Sequence, residues 1–164
     1  MANLDDEYYT SHPDPDNPGW FQWVLRDPEC YNSFLGQIII RRGGDGFGDD
    51  IGRVRMFPER RHRNMGDVVH GGTMMGFIDC SLFAAMRVFG IGPAGPSVTL
   101  ELQTHFTGAA NMDEPLEAQV EVTRETGRFL FMRGLVVQGE IDANNVASFT
   151  AIVKKAPRPK NSNA

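Results

Sequence analysis

The run of residues 74–89 limits the fold more than any other part of the chain. It carries Met74, Met75, Phe77, Ile78, Leu82, Phe83, Met86, Val88 and Phe89, with Asp79 and Arg87 its only charged residues. Gly72 or Thr73 opens it and Gly90 closes it, with Pro93 just beyond, so it reads as one helix. A helix that is apolar on nearly every side is a buried helix. It falls short of the roughly 20 apolar residues that a membrane span needs. The rest of the chain must therefore wrap it.

The flanking sequence supplies strands for that purpose. Residues 37–42 hold Ile38, Ile39 and Ile40, a β-branched run. Residues 43–50 read as a turn, and residues 51–57 alternate Val54 and Met56 with Arg53 and Arg55, which completes a hairpin. After the helix, four more segments alternate, at 97–106, 116–122, 128–137 and 146–153, with turns at 113–115, 126–127 and 142–145. Period-two alternation points to an antiparallel sheet with one covered face. The expected fold is α+β, one long buried helix wrapped by a curved antiparallel sheet of about six strands. Residues 1–18, with Pro13, Pro15 and Pro18, read as a loose leader. Residues 20–35, broken at Pro28, read as one or two short helices on a core edge. A single domain over 19–154 and a basic, disordered tail over 155–164 complete the organisation.

Composition narrows the function. The 164-residue chain suits one domain, and its net charge of -5 argues against nucleic acid, which needs a cationic face. The acidic N-terminus resembles neither a secretory signal nor a transit peptide. The two cysteines, Cys30 and Cys80, form no disulfide framework or zinc spacing, so a reducing cytoplasm is the expected location, with no membrane partner. Cys80 reads as core packing.

The chemistry concentrates in residues 62–72, His-Arg-Asn-Met-Gly-Asp-Val-Val-His-Gly-Gly, and in Asp79. Gly71 and Gly72 stand where the chain enters the helix. The first turn leaves N–H groups unpaired and favours negative charge, and glycine lets another molecule approach. That is the makeup of an oxyanion hole for acyl transfer. Asp79 is the only acid on the helix, and a carboxylate among apolar neighbours is costly without partners, a setting that suits general-base work. Yet Asp79 lies seven residues past Gly72, about 10 Å along the axis at ~1.5 Å per residue. It cannot reach a carbonyl held at Gly71. A second copy with its helix antiparallel would bring its own Asp79 there, so the spacing hints at a composite dimer site.

The Asn64, His70-Gly71-Gly72 and Asp79 set, with the strand Thr99-Leu-Glu-Leu-Gln-Thr-His-Phe106 and the Gly127-Arg128 pair, resembles the hotdog-fold acyl-CoA thioesterases. Within them it is most like the phenylacetyl-CoA thioesterases of the 4-hydroxybenzoyl-CoA thioesterase superfamily. The resemblance runs from about Phe34 to Val153. It implies hydrolysis of acyl- or aryl-acyl-CoA by a homodimer, or by a dimer of dimers, with no cofactor and no metal. It implies that the Gly71 N–H polarises the thioester carbonyl and that Asn64 holds that carbonyl or the attacking water. His70 would buttress the loop, and the partner's Asp79 would activate water or attack directly. Thr99 or Ser97 would hold the water. Gly72 and Arg128 would contact substrate, and one or two of Arg53, Arg55, Arg60, Arg61 and Arg63 would meet the CoA phosphates, the rest forming a solvated strand face. His62 and His105 are expected at the surface or on a strand face. Two other readings share these features: an acyl-thioester hydratase or dehydratase, and a non-catalytic acyl-CoA-binding protein. Asn64 and the glycine helix entry favour hydrolysis.

Overall fold

The computed structural model describes residues 5, 7–91, 97–139 and 144–156. Pro93, residues 142 and 143 of the turn expected at 142–145, and residues 157–164 of the tail lie outside them. One helix, α1 (Gly71–Val88), packs against a sheet of 8 strands. The strands are β1 (Tyr9–Pro13), β2 (Phe21–Leu25), β3 (Ile38–Gly44), β4 (Phe47–Met56), β5 (Val98–Phe106), β6 (Leu116–Glu125), β7 (Phe129–Gln138) and β8 (Asn145–Lys154). Their order is β1-β2-β3-β4-β6-β7-β8-β5, with every neighbouring pair antiparallel.

The extra strands come from the N-terminal segment, where the structure departs from expectation. Tyr9–Pro13, expected in a loose leader, pairs with Phe21–Leu25, expected to be helical. The reason is aromatic packing that a pattern of single residues conceals. Trp23 turns into the core and stacks on Tyr9, ring centroids 3.7 Å apart. Trp20 turns to the other face, over the guanidinium groups of Arg55 and Arg53 at 4.3 and 5.0 Å. Alternation of large aromatics to opposite faces is a strand pattern. Only Tyr31–Leu35 is helical in this region, as one 3-10 turn.

The helix ends where the glycine predicts. Gly90 has φ 68, the Ile91 N–H reaches the Met86 carbonyl at 2.9 Å and the Gly90 N–H reaches Arg87 at 3.0 Å, the paired bonds of a Schellman stop. Met74, Phe77, Ile78, Leu82 and Met86 are almost wholly buried under the sheet. The cover is one-sided, however. Met75, Gly76, Asp79, Phe83 and Arg87 are only half-buried, and Gly72 is exposed. Their spacing of three and four residues makes one open stripe along α1.

The strand β5 is likewise open. It is the last strand of the sheet, and Val98, Leu100 and Phe106 are 50%, 55% and 52% exposed. An apolar edge strand is a template for another chain.

Arg53 differs from its expected role as a solvated strand residue. It is 3% exposed, and its Nε donates to Glu117 at 2.7 Å, its Nη2 at 3.0 Å. Arg55 donates to the same carboxylate at 2.5 Å. Two guanidinium groups and the Trp20 ring thus hold one buried acid across β4 and β6. His62 is also buried, not at the surface: one ring nitrogen accepts from the Glu59 N–H at 2.8 Å and the other meets the Phe34 carbonyl at 2.7 Å. His105 is exposed on its strand, as expected.

Glu117→Gln should lower stability by about 3 kcal/mol near neutral pH, because it leaves the buried Arg53 guanidinium with the half-exposed Asp45 as its remaining counter-charge. Burial pushes the Glu117 carboxyl up, but hydrogen bonds from Arg53 and Arg55 outweigh it and hold it below its ordinary 4.5. The stabilisation is therefore complete above that value and fades as pH falls through the lower folded value. Urea unfolding across pH checks this: the wild-type advantage should shrink in acid, and a constant gap would count against the ion pair.

Candidate active site

The entry to α1 is built by its N-cap. His70 Nδ1 accepts from the Gly72 N–H at 2.9 Å, which puts the ring proton on Nε2. The Met74 N–H takes the His70 carbonyl at 3.0 Å. The Gly71 N–H has no acceptor among the described residues. The cap thus separates the two glycines. Gly72 is used by the protein, and Gly71 offers the open donor at the positive end of the helix. The Phe106 ring stands over it: a β-carbon on Gly71 would lie 3.6 Å from that ring.

Asn64 stands in the loop leading to this point. Its Oδ1 accepts from the Gly66 N–H at 2.7 Å and the Val68 N–H at 3.4 Å. Asp67 follows at φ 56 and pairs with Arg63. The carbonyl side of the Asn64 amide is thus spent on the turn, which leaves the NH₂ side as the available donor. The loop is tied to the helix entry by the His70 N–H on the His62 carbonyl, 2.8 Å, and the Val69 N–H on Ala110, 2.8 Å. Arg60, Arg61 and Arg63 line an open cleft of about 1270 Å³ beside Asn64, His70 and Gly71. Arg61 and Arg63 have acidic partners in Glu59 and Asp67.

The acid lies elsewhere on the helix. The Thr99 hydroxyl donates to Asp79 Oδ1 at 2.6 Å. This contact depends on a β-bulge. Regular alternation groups Thr99 with Glu101, Gln103 and His105, and Gln103 and His105 line a cavity with Arg133 and Thr150. But Thr99 pairs with Val153 and Glu101 with Ile152, so Leu100 is an extra residue. A bulge re-aims the side chains around it. Thr99 consequently shares a face with Leu102, each opposite a buried residue of β8, Val153 and Ala151. Ser97 does not join them; its hydroxyl accepts from the Ala156 N–H at 3.2 Å. Arg128 is exposed at the same end of the sheet, its carbonyl accepting from the Lys155 N–H at 2.8 Å.

Within one chain the expected residues therefore fall into two clusters. His70, Gly71, Gly72 and Asn64 gather at the start of α1. Asp79 and Thr99 meet eight residues further on, about 12 Å along the axis. Cys80, next to Asp79, plays no part: burial pushes its thiol up to about 12, where it stays protonated.

Residues 66–143, which run from the glycine entry through β7, match the family model described as the thioesterase superfamily. This segment belongs to the thioesterase superfamily. The fold agrees with the hotdog architecture and the enzyme class with a thioester hydrolase. Several solved structures have the same fold. A conserved protein from Pseudomonas aeruginosa is 24% identical, covers 77% of this chain and 94% of its own, and has a TM-score of 0.62. An Asn-to-Asp mutant of the phenylacetic acid degradation protein PaaI from Thermus thermophilus is 20% identical, covering 79% and 99%, with a TM-score of 0.60. A hypothetical thioesterase from Streptococcus pneumoniae, determined with coenzyme A, is 17% identical, covering 78% and 92%, with a TM-score of 0.62. No curated protein matches the sequence. Among the described residues, no helix is long and apolar enough to cross a membrane.

Sequence reasoning missed the bulge, the Phe106 ring over Gly71 and the covered state of His62. Only Phe106 left a signal, as an aromatic on the otherwise polar end of β5.

His70→Ala should remove the cap and cost about 1 kcal/mol, or a fall in Tm of roughly 2–4 °C for a domain of this size. His70→Asn should recover most of it. Calorimetry decides: an unchanged Tm in His70→Ala would mean that the imidazole does not hold the helix entry.

Proposed function

We propose that this protein is an acyl-CoA thioesterase whose active site forms between two copies of the chain. The observation that carries this reading is the separation of parts on one helix: an open Gly71 N–H at its start, and a Thr99-bound Asp79 about 12 Å away. Neither cluster hydrolyses a thioester alone, since the base must stand beside the carbon whose oxygen the N–H holds.

The open surfaces supply the means of joining them. If β5 pairs antiparallel with β5 of a second copy about its centre, near Leu102, the Thr99 end of one strand meets the Phe106 end of the other. Phe106 stands over Gly71 and Thr99 holds Asp79. That pairing places the helix stripes face to face and sets the partner's Asp79 beside Gly71. It also covers Val98, Leu100 and Phe106.

In this site the thioester oxygen accepts from the Gly71 N–H and from the Asn64 amide. Thr99 donates to Asp79, so its oxygen can still accept a hydrogen bond from water. Asp79 takes a proton from that water as the water oxygen bonds to the carbonyl carbon. The negative charge that develops on the carbonyl oxygen faces the helix N-terminus. Collapse breaks the carbon–sulfur bond, and the proton on Asp79 passes to the departing thiolate. The products are a free acid and CoA. The cleft of Arg60, Arg61 and Arg63, together with the partner's Arg128, suits the CoA phosphates. The thiols of Cys30 and Cys80, unpaired in the structure, suit a reducing cytoplasm.

Thiol release from a panel of acyl-CoAs, acetyl to palmitoyl with phenylacetyl and benzoyl, tests the reaction. Asp79→Asn should lower kcat by at least about 10²-fold, the low end for general-base catalysis, with KM little changed. Wild-type kcat in a folded Asp79→Asn protein would remove Asp79 from the base role. Mixing Asp79→Asn with Asn64→Ala should restore activity, since one of the two sites in a heterodimer is then intact. Verified heterodimers with no recovery would sink the shared site. Silence across the panel from folded dimers would favour the dehydratase or binding reading.

A further inference from the structure

The open stripe of α1 carries a notch that the proposed chemistry does not use. Gly76 lies three residues before Asp79 and four after Gly72, so all three share one face of the helix. The ring of Tyr31 fills the notch. A β-carbon on Gly76 would lie 2.5 Å from the Tyr31 hydroxyl oxygen and 3.1 Å from its Cε1. Any other residue at 76 would displace the ring. Tyr31 is nevertheless 61% exposed, and its hydroxyl has no hydrogen-bond partner among the described residues. A large aromatic held at a glycine, beside the acid and open on its far side, is positioned to face something bound there.

The ring is also buttressed. Tyr31 stacks on Phe34 with centroids 6.2 Å apart, and Phe34 stands edge-on to His62 at 5.2 Å. His62 is fixed through both ring nitrogens. The His62 carbonyl holds the His70 N–H, so one chain of contacts links Tyr31 to the helix entry.

The direction of the acyl group follows from where CoA must enter. The arginine-lined cleft opens outside the first turn of α1. A thioester with its CoA in that cleft and its oxygen on Gly71 points its acyl group inward, along the paired helices. Past the partner's Asp79, the next residues on that helix are Gly76 and Met75, with Tyr31 lying over Gly76. We infer that Tyr31, seated on Gly76, is the end wall of the acyl pocket and limits the enzyme to short or single-ring acyl groups. The inference rests on the shared-site thioesterase reading.

The experiment compares wild type, Tyr31→Ala, Tyr31→Leu, Tyr31→Phe and Gly76→Ala. Two series are run: hydrolysis of acyl-CoAs from acetyl to palmitoyl, and calorimetric binding of the matching non-hydrolysable acyl-CoA thioethers. Tyr31→Ala should move the optimum to longer chains in both series, with affinity rising about fourfold for each additional methylene that is buried. Tyr31→Leu should move it less, and Tyr31→Phe should keep the wild-type profile. Gly76→Ala should weaken the ligands that wild type prefers, and adding Tyr31→Ala should relieve that loss. A residue that only packs against the helix would change Tm and leave the chain-length profile alone; an unchanged profile in folded Tyr31→Ala and Tyr31→Leu overturns the inference. Binding without turnover would defeat the thioesterase reading while the thioether series still judged Tyr31. If no thioether binds wild type, both fall.

Discussion

Phe77, Ile78, Leu82 and Met86 are buried under the sheet to 1% exposure or less, and α1 cannot rotate about its axis without exposing them. Each such side chain contributes about 1.5–3 kcal/mol by leaving water. That burial fixes which residues face the other way. Asp79 faces the open side because its neighbours in sequence, Ile78 and Cys80, are held on the covered one. The same rotation turns Gly72 and Gly76 outward. The placement of the acid thus follows from hydrophobic packing.

Cover from the sheet and cover from elsewhere are complementary demands. The sheet closes one side of α1 and stops at β5, an edge with apolar side chains in water. The stripe on α1 and the edge of β5 meet at the Thr99–Asp79 hydrogen bond and again where Phe106 lies over Gly71. One second copy would satisfy both surfaces at once. The basic residues divide by the same logic: Arg53 and Arg55 are paired with Glu117 within the sheet, Arg53 also with Asp45, whereas Arg60 stands exposed at the mouth of the cleft.

Much of this was legible in the sequence because it rests on periodicity and on glycine. The helix bounds came from Gly72 and Gly90, and the strands after the helix came from alternation. Gly71 and Asp79 stood out because an open helix entry and a lone acid have few structural reasons to occur on one apolar helix, and Asn64 because it precedes that entry in the same motif. The N-terminal strands were hidden because their order comes from Tyr9–Trp23 stacking across fourteen residues of sequence, which local propensity does not register. Arg53 looked solvated because its partner Glu117 lies 64 residues away. The choice between Thr99 and Ser97 could not be made from alternation, since the two are separated by one residue and share a phase, both lying before the bulge at Leu100.

That bulge acts on β5 as a frameshift acts on a coding strand. Before Leu100 the odd-numbered Thr99 faces the helix; after it the even-numbered Leu102 does. Removing the single residue Leu100 would restore regular alternation through Thr99, Glu101 and Leu102 and leave Thr99 opposite Val153, on the side of the strand that meets Asp79. A one-residue gap at this point in a related sequence therefore leaves the facing of Thr99 unchanged, whereas a gap elsewhere in the strand would invert it. Two chains of this fold can differ by one residue in the length of this strand and still present the same side chains to the helix.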